Sequence, residues 1–191
     1  MSRSIQRSCH KIKGALGFVR SSKMRLPLRH GLGALALATL MGCVPTSPAL
    51  TGLTGITVNA EGRLTLVVAW CQQPPERVIV YQRVSDRLED QAELKATKLS
   101  GSPVFLDLEK IPLGWSVVEG DLDFQPGRKY VASAYNAKKP GGTFRVSFTT
   151  AYKTKPTAGR ILVQDHSGEQ PDGVDVSFSS AEFVARAKYY C

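Results

Sequence analysis

Residues Leu64–Trp70, which read LTLVVAW, decide the fold class of this chain. Every second residue from Leu64 to Trp70 is a large apolar one, and a period of two places side chains on one face of a β-strand. The polar and proline-rich stretch 72–75 (QQPP) ends the pattern, because proline cannot donate a ladder hydrogen bond. The stretch therefore predicts a short strand whose Trp70 face lies in a core.

Other short strands are predicted on the C-terminal side of this stretch. Each is rich in β-branched, aromatic or alternating apolar residues, and Gly or Pro turns separate several of them. The predicted strands are Arg77–Arg83, Leu94–Leu99 (as an edge strand), Val104–Leu108, Trp115–Glu119, Lys129–Asn136 and Thr143–Thr150. Within the last of them, Phe144, Val146 and Phe148 are expected to share one face. Many short strands with frequent turns favour a mainly β fold, a sandwich or a barrel.

The last part of the chain has a different pattern. Residues 159–164 and 174–178 predict a further hairpin around a polar loop. Ser179, followed three residues later by Glu182, is a capping box, which predicts a short helix over Glu182–Tyr190. Residues 53–155 are accordingly assigned to the β-sandwich, and residues 156–191 to a C-terminal extension with a hairpin and a short helix.

Two stretches are similar to the fibronectin type III family. The strand that ends at Trp70, followed by Pro74-Pro75 and then Tyr81, resembles the B and C strands of that family. Residues 124–132 (FQPGRKYVA) resemble its E–F corner. The resemblance covers about residues 53 to 150 and implies an immunoglobulin/fibronectin-III-like β-sandwich. It also implies that Trp70 and Tyr81 are core residues and that Tyr130 is the tyrosine corner.

An apolar run over residues 31–40 precedes the predicted sandwich and follows the basic residues Arg25 and Arg29. The run is too short for a bilayer, which needs about 20 apolar residues, but its length suits the core of a signal peptide. It ends in the stretch 40–43, LMGC, which resembles the lipobox of bacterial lipoproteins. The resemblance implies cleavage between Gly42 and Cys43 and a diacylglyceryl group on the sulfur of Cys43.

The lipobox sets the expected processing of the chain. Residues 1–42 are predicted to be the signal peptide region, with Met24 as a candidate for the true start. Residues 43–52 begin with a Pro/Ser/Thr-rich stretch, which is typical of an extended tether. We expect the mature protein at the extracytoplasmic face of the cell membrane, held there by its covalent lipid.

The chain as a whole also resembles the small uncharacterised lipoproteins of Gram-positive bacteria. That likeness brings no activity with it. The predicted sandwich scaffold and the scarcity of clustered catalytic residue types favour a non-enzymatic binding or structural module of the cell envelope, with an envelope protein or glycan as the partner. The alternative is an accessory envelope hydrolase that acts on glycan or peptide. No cofactor is predicted.

The charge is concentrated in the leader. The chain carries a net charge of +9, but residues 1–42 hold eight Lys and Arg and no acidic residue. Residues 43–191 hold 17 basic and 16 acidic residues, a net charge of +1. A nucleic-acid-binding domain carries a basic patch or stripe, so the near-neutral mature chain argues against a nucleic-acid partner.

Two cysteines remain once Cys9 of the leader and Cys43 are set aside. Cys71 and Cys191 are predicted to form a disulfide, because paired cysteines are common in exported domains. Two free thiols or a metal pair are the alternatives. A zinc site is disfavoured, because His166 is the one histidine after the leader and no CxxC motif occurs.

Few residues suggest catalysis or metal binding. His166 lies between Asp165 and Ser167, which could serve a Ser-His-Asp triad but fit a plain polar turn better. Two acidic groups could bind calcium, and the first could also act on a glycoside, although solvated loops explain both. These groups are Glu119, Asp121 and Asp123, and Asp165, Glu169, Asp172 and Asp175. We predict no catalytic residue and no metal ligand.

Four aromatic residues are candidates for contact with sugar or peptide. They are Trp115, Tyr135, Tyr152 and Tyr189. An exposed aromatic ring packs well on such ligands, but partly buried rings more often serve the protein's own packing.

Overall fold

The computed structural model describes residues 50–137, 141–154, 159–166 and 173–191. The protein is mainly β in these ranges, as predicted. The strands are β1 (Leu50–Val58), β2 (Leu64–Trp70), β3 (Arg77–Val84), β4 (Arg87–Ala96), β5 (Val104–Asp107), β6 (Trp115–Gly120), β7 (Lys129–Tyr135), β8 (Gly142–Phe144), β9 (Val146–Phe148), β10 (Ile161–Asp165) and β11 (Val174–Phe178). A 3-10 helix spans Thr150–Thr154, and α-helix α1 spans Ser180–Tyr189.

These eleven strands of the described residues form one hydrogen-bonded sheet. Its main path runs β11-β10-β1-β8-β7-β3-β4-β6, while β2 pairs with β1 and β5, and β9 pairs with β7. Strands β1 and β8 are parallel. The sheet curls, so that β2 and β5 come to face β3, β4 and β7 across shared apolar side chains.

The interior of this curl is here called the main core. It contains the β2 side chains Leu64, Leu66 and Val68, each fully buried, and Trp70 packs against its edge. The predicted inward face of LTLVVAW is therefore confirmed. Burial of apolar surface contributes about 25 cal/mol per Å², so this face stabilises the packing of the strand.

A second cluster, here called the helix-side core, lies on the other face of β2. Phe183 and Ala187 of α1 pack there with Val67 and Ala69 of β2 and with apolar residues of β1 and β10. Strand β2 is thus buried on both faces, which explains why the intervening residues Val67 and Ala69 are apolar too. None of the described helices combines the length and the apolar character of a transmembrane span.

The predicted helix start is confirmed. Ser179 Oγ accepts a hydrogen bond from the Glu182 backbone N–H at 3.3 Å, and Glu182 Oε2 accepts one from the Ser179 N–H at 2.6 Å. This reciprocal capping box satisfies two backbone donors that a helix start otherwise leaves unpaired. The predicted hairpin is also present, because β10 and β11 pair antiparallel from Ile161↔Phe178 onward. It belongs to the same sheet as the strands of residues 53–155.

Tyr81 is not a core residue, contrary to the sequence expectation. Val78 and Val80 of β3 fill the main core, and the intervening positions of the strand face the other way. The pairing of β3 with β4 shifts between Val80 and Tyr81. Tyr81 is therefore half-buried on the outer face of the sheet, beside Val131 of β7.

Three parts of the sheet differ from the sequence predictions. Strand β1 was not predicted, and its first three residues, 50–52, fall in the predicted tether. Strand β4 begins at Arg87 and pairs with both β3 and β6, so it is not an edge strand. The predicted strand Thr143–Thr150 is divided at Arg145 into β8 and β9. Phe144 consequently packs on the helix-side core and not beside Val146.

Candidate binding groove

A groove of about 180 Å³ opens at the end of the sheet where β1 begins and where β2 and β7 end. Trp70 is the last residue of β2 and Tyr135 the last residue of β7, and both line the groove with the amide side chains of Gln72 and Gln73. Among the described residues that line it, none has a charged side chain. The groove is thus an uncharged, mixed aromatic and amide surface.

A disulfide between Cys71 and Cys191 forms one wall of the groove. The two Cα atoms are 5.3 Å apart, and the bridge spans a sequence separation of 120. Cys71 follows β2 directly and Cys191 follows α1, so the bridge ties the end of the helix to the end of the strand. Cys71 is half-buried and Cys191 is exposed, which places the bridge outside both cores.

Hydrogen bonds fix the loop that carries the glutamines. At its far end, the Glu76 backbone N–H donates to the Tyr135 carbonyl at 3.0 Å. Asn136 Nδ2 donates to the Pro74 carbonyl at 3.3 Å. The disulfide to Cys191 thus holds the start of the loop, and the hydrogen bonds to Tyr135 and Asn136 hold its end.

The ring of Tyr135 has a defined orientation. Its hydroxyl interacts with the side chains of Arg77 and Glu93, which form an ion pair across β3 and β4. Burial raises the pKa of Tyr135, and the negative charge of Glu93 raises it further. The hydroxyl is therefore engaged outside the groove, which Tyr135 lines as the last residue of β7.

Glycine lets β8 pack closely on β7 beside the groove. A Cβ on Gly142 would lie 2.9 Å from the Ala134 carbonyl oxygen, closer than real Cβ atoms approach. Beneath it, Thr143 Oγ1 lies 2.5 Å from Thr54 Oγ1 and accepts the Ala134 N–H at 2.9 Å. These buried hydroxyls therefore have partners and do not point into the groove as unpaired groups.

A second cavity of about 420 Å³ lies next to the groove. The two share the lining residues Gln73, Pro75 and Asn136 and are together called the depression. Glu76 and Lys98 line the second cavity and bring charges of opposite sign.

No known protein family, curated protein or solved structure matches this chain. The function is therefore inferred from the residues of the chain. The predicted cleavage and lipidation site, Gly42 and Cys43, lies outside the described residues.

Of the first predicted acidic group, Glu119 lies in β6, and Asp121 and Asp123 lie in the exposed loop after it. Asp121 Oδ1 accepts hydrogen bonds from the Asp123 N–H at 2.9 Å and from Gln91 Nε2 at 2.8 Å. Asp123 Oδ2 accepts one from Gln125 Nε2 at 2.6 Å, and Glu119 is exposed. In the parts of the chain that the structure describes, no three His, Cys, Asp or Glu side chains are grouped to hold a metal ion.

The second acidic group is only partly described, because Glu169 and Asp172 lie outside the described residues. Asp165 forms an ion pair with Arg186 at 3.3 Å. Asp175 Oδ1 accepts a hydrogen bond from Gln164 Nε2 at 2.8 Å. These two carboxylates are thus engaged in structural contacts within their own hairpin and with α1.

His166 follows β10, and its ring stacks on Phe144 with 6.2 Å between ring centroids. Its Nε2 atom is buried and has no hydrogen-bond partner among the described residues. Ser167, the third residue weighed for a triad, lies outside the described residues.

The four aromatic candidates have different surroundings. Trp115 packs against the main core, and Tyr152 is buried in it. Tyr189 is 77% exposed on α1, with the Arg186 guanidinium 5.3 Å from its ring centre. Tyr135 alone of these four lines the groove. The alternating pattern of β2 predicted Trp70 only as a core residue. The polar Gln72 and Gln73 that follow it indicate that this end of the strand also reaches the surface.

Proposed function

We propose that this protein is a lipid-anchored module at the extracytoplasmic face of the cell membrane. In this proposal it binds an envelope partner, protein or glycan, and catalyses no reaction. The observation that carries the proposal is the stretch 40–43, LMGC, after a short apolar run, because this order of residues suits lipid transfer to Cys43. A diacylglyceryl group supplies two acyl chains, and stable membrane anchoring takes two such signals.

The disulfide supports export independently of the leader. Disulfides persist in oxidising compartments and are rare in the cytosol, where thiols are kept reduced. The Cys71–Cys191 bridge joins residues far apart in sequence and fixes the end of α1, so it has the character of a structural crosslink. A structural disulfide of this kind is expected in a protein that works outside the cytoplasm.

The anchor would keep the groove near the membrane. Strand β1 begins at Leu50, and Thr51, eight residues after Cys43, lines the groove. Because an extended chain spans at most about 3.3–3.6 Å per residue, eight residues hold Thr51 within about 30 Å of the lipid. The partner would thus be a component of the envelope close to the bilayer.

We also propose that the fold is an immunoglobulin/fibronectin-III-like sandwich. Strands β1, β2 and β5 would form one layer, and β3, β4, β7 and β9 the other. The hydroxyl of Tyr130 supports this proposal, because it accepts the Gln125 N–H five residues upstream at 2.8 Å, as a tyrosine corner does. A crystal structure with these two strand groups in opposite layers would support the assignment, and a single closed barrel would refute it.

Metabolic labelling tests the anchor directly. Cells that express the full chain are fed radiolabelled palmitate, and we expect label in the membrane fraction. Cys43→Ala should abolish the label, whereas Cys71→Ser/Cys191→Ser should keep it, since Cys43 is intact. Unlabelled wild-type protein in the cytosol would overturn the proposal.

A further inference from the structure

We propose that the groove beside the Cys71–Cys191 bridge binds an uncharged glycan chain and seats one sugar ring against Trp70 and Tyr135. The inference rests on the proposed function for access to envelope glycans. Its chemistry comes from the groove alone.

The aromatic residues provide the surface for a sugar ring. Trp70 and Tyr135 end two strands and come together at one edge of the sheet, although 65 positions separate them in the sequence. A pyranose presents a face of C–H groups, which packs favourably on an aromatic ring. Tyr135 is held by Arg77 and Glu93, so it loses little conformational freedom when a ligand binds.

The amide side chains suit the hydroxyl groups of a sugar. A primary amide has two N–H donors and one carbonyl acceptor, and each sugar hydroxyl can both donate and accept. Gln72 and Gln73 are exposed at the groove, where they can pair with hydroxyl groups at the edge of the ring. A ligand pocket of this kind has an apolar surface and a few polar groups that fix orientation.

The charge pattern selects against an ionic ligand. None of the described residues that line the 180 Å³ groove has a charged side chain. A phosphate or sulfate group would lose water there without a charged partner, which is costly. An uncharged, polyhydroxylated ligand avoids this cost.

The shape of the depression favours a chain over a monosaccharide. Typical small-molecule pockets have volumes of about 300–1,000 Å³, so the 180 Å³ groove suits one ring rather than a larger compact ligand. The 420 Å³ cavity beyond Gln73 and Pro75 gives the neighbouring sugars a place to lie. The loop between the two is fixed at both ends, so binding requires little ordering of the protein.

The test measures binding of three uncharged hexasaccharides to the purified full-length protein in detergent. The probes are maltohexaose, cellohexaose and the hexamer of N-acetylglucosamine, and a heparin-derived hexasaccharide is the charged counterpart. We expect at least one uncharged probe to bind, by calorimetry, with a dissociation constant in the micromolar to millimolar range. Binding of the heparin fragment as tightly as the best uncharged probe would overturn the claim, as would no binding of any uncharged probe.

Variants locate the site. Tyr135→Ala and Gln72→Ala/Gln73→Ala should each weaken binding tenfold or more, while Tyr135→Phe keeps the ring and should bind within about threefold of wild type. Tyr81→Ala is the matched control, because Tyr81 is also half-buried on the outer sheet face but does not line the groove. Gln72 and Gln73 are exposed, so their variant should fold normally. Equal losses in Tyr81→Ala and Tyr135→Ala would overturn the assigned site.

The two proposals fail separately. Palmitate labelling does not depend on the groove, and hexasaccharide binding does not depend on Cys43. A labelled protein that binds none of the uncharged probes would retain the anchor and lose the glycan site. An unlabelled protein that binds a probe at Tyr135 would retain the site and lose the anchor.

Discussion

Arg63 Nε lies 2.6 Å from Asp107 Oδ2, and this pair joins the turn between β1 and β2 to the end of β5. Asp107 also accepts hydrogen bonds from Asn59 Nδ2 at 3.0 Å and from the backbone N–H groups of Glu109 and Lys110 at 2.9 Å. Burial opposes ionisation of Asp107, but these hydrogen bonds and the charge of Arg63 outweigh it, so its pKa is lowered.

Ionisation of Asp107 makes the free energy of unfolding depend on pH. Its pKa is lower in the folded than in the unfolded state, so the ionised carboxylate stabilises the fold above the unfolded pKa. That stabilisation is lost as the pH falls through the folded pKa. Asp107→Asn should cost about 1.5–3 kcal/mol at pH 7, the range for hydrogen bonds to a charged group.

Urea unfolding between pH 7 and pH 2 checks this prediction. The Asp107→Asn variant should lose less stability than wild type as the pH falls, so that the two curves converge in acid. Asp86→Asn, at an exposed turn, is the control and should run parallel to wild type. Parallel curves for Asp107→Asn and wild type would contradict the prediction.

The disulfide should contribute strongly to stability. In the chain-entropy model, a bridge across a separation of 120 residues stabilises by about 4–5 kcal/mol. Cys71→Ser/Cys191→Ser should therefore lower the urea midpoint sharply and speed amide exchange in α1, which is marginal as an isolated helix. A thiol reductant should lower the midpoint of wild type and leave that of the variant unchanged. An unchanged midpoint in the variant would refute the prediction.

Tyr130 combines full burial with a hydrogen bond to the backbone. Its ring contacts that of Phe124 edge-to-face, with centroids 4.8 Å apart, and its hydroxyl accepts the Gln125 N–H. Tyr130→Phe removes only the hydroxyl and should cost about 0.5–1.5 kcal/mol, measured by thermal or urea unfolding. Tyr189→Phe, at an exposed position, should cost nothing measurable. Equal effects of the two variants would mean that the corner hydrogen bond contributes nothing.

The side chain of Gln164 in β10 forms hydrogen bonds with the backbone of Ser147 in β9. Its side-chain amide accepts the Ser147 N–H and donates to the Ser147 carbonyl at 3.2 Å, and the side chain is 4% exposed. Gln164→Leu leaves both Ser147 groups without this partner and should cost about 1–3 kcal/mol. Hydrogen exchange at the Ser147 amide should quicken in Gln164→Leu but not in Gln125→Leu, which alters an exposed glutamine. Unchanged exchange in Gln164→Leu would contradict the assigned role.

The local pattern predicted most strands, because alternation and turn residues act over a few positions. The alternation in LTLVVAW predicted which face of β2 lies in the main core. The capping box of Ser179 and Glu182 predicted the start of α1. Strand β1 was missed because its sequence, LTGLTGITV, is rich in Gly and Thr. Gly52 and Gly55 are required there by close contacts: a Cβ would lie 2.2 Å from the Ala69 carbonyl oxygen at Gly52 and 2.4 Å from Ile161 at Gly55. Those contacts depend on partners that are distant in sequence.

Charged strands were harder to predict. Strand β4 reads RLEDQAELKA, and its first four residues are exposed, so the apolar signal begins only in its second half. Hydrogen bonding to β3 and β6 fixes its true length.

The groove could not be predicted for a similar reason. The local sequence predicts a separate role for each of three lining residues: a core position for Trp70, a strand end for Tyr135 and a disulfide partner for Cys191. Only the pairing of distant strands brings them to one place.

The bridge between Cys71 and Cys191 also has a topological consequence. It closes residues 71–191 into a covalent ring. The segment between Cys43 and Cys71, here called the stem, lies outside that ring. A protease that cuts once anywhere inside the ring opens it but severs nothing from the stem. In the lipid-anchored form proposed above, release of any part of the ring therefore takes a second cut, a cut in the stem, or reduction of the bridge.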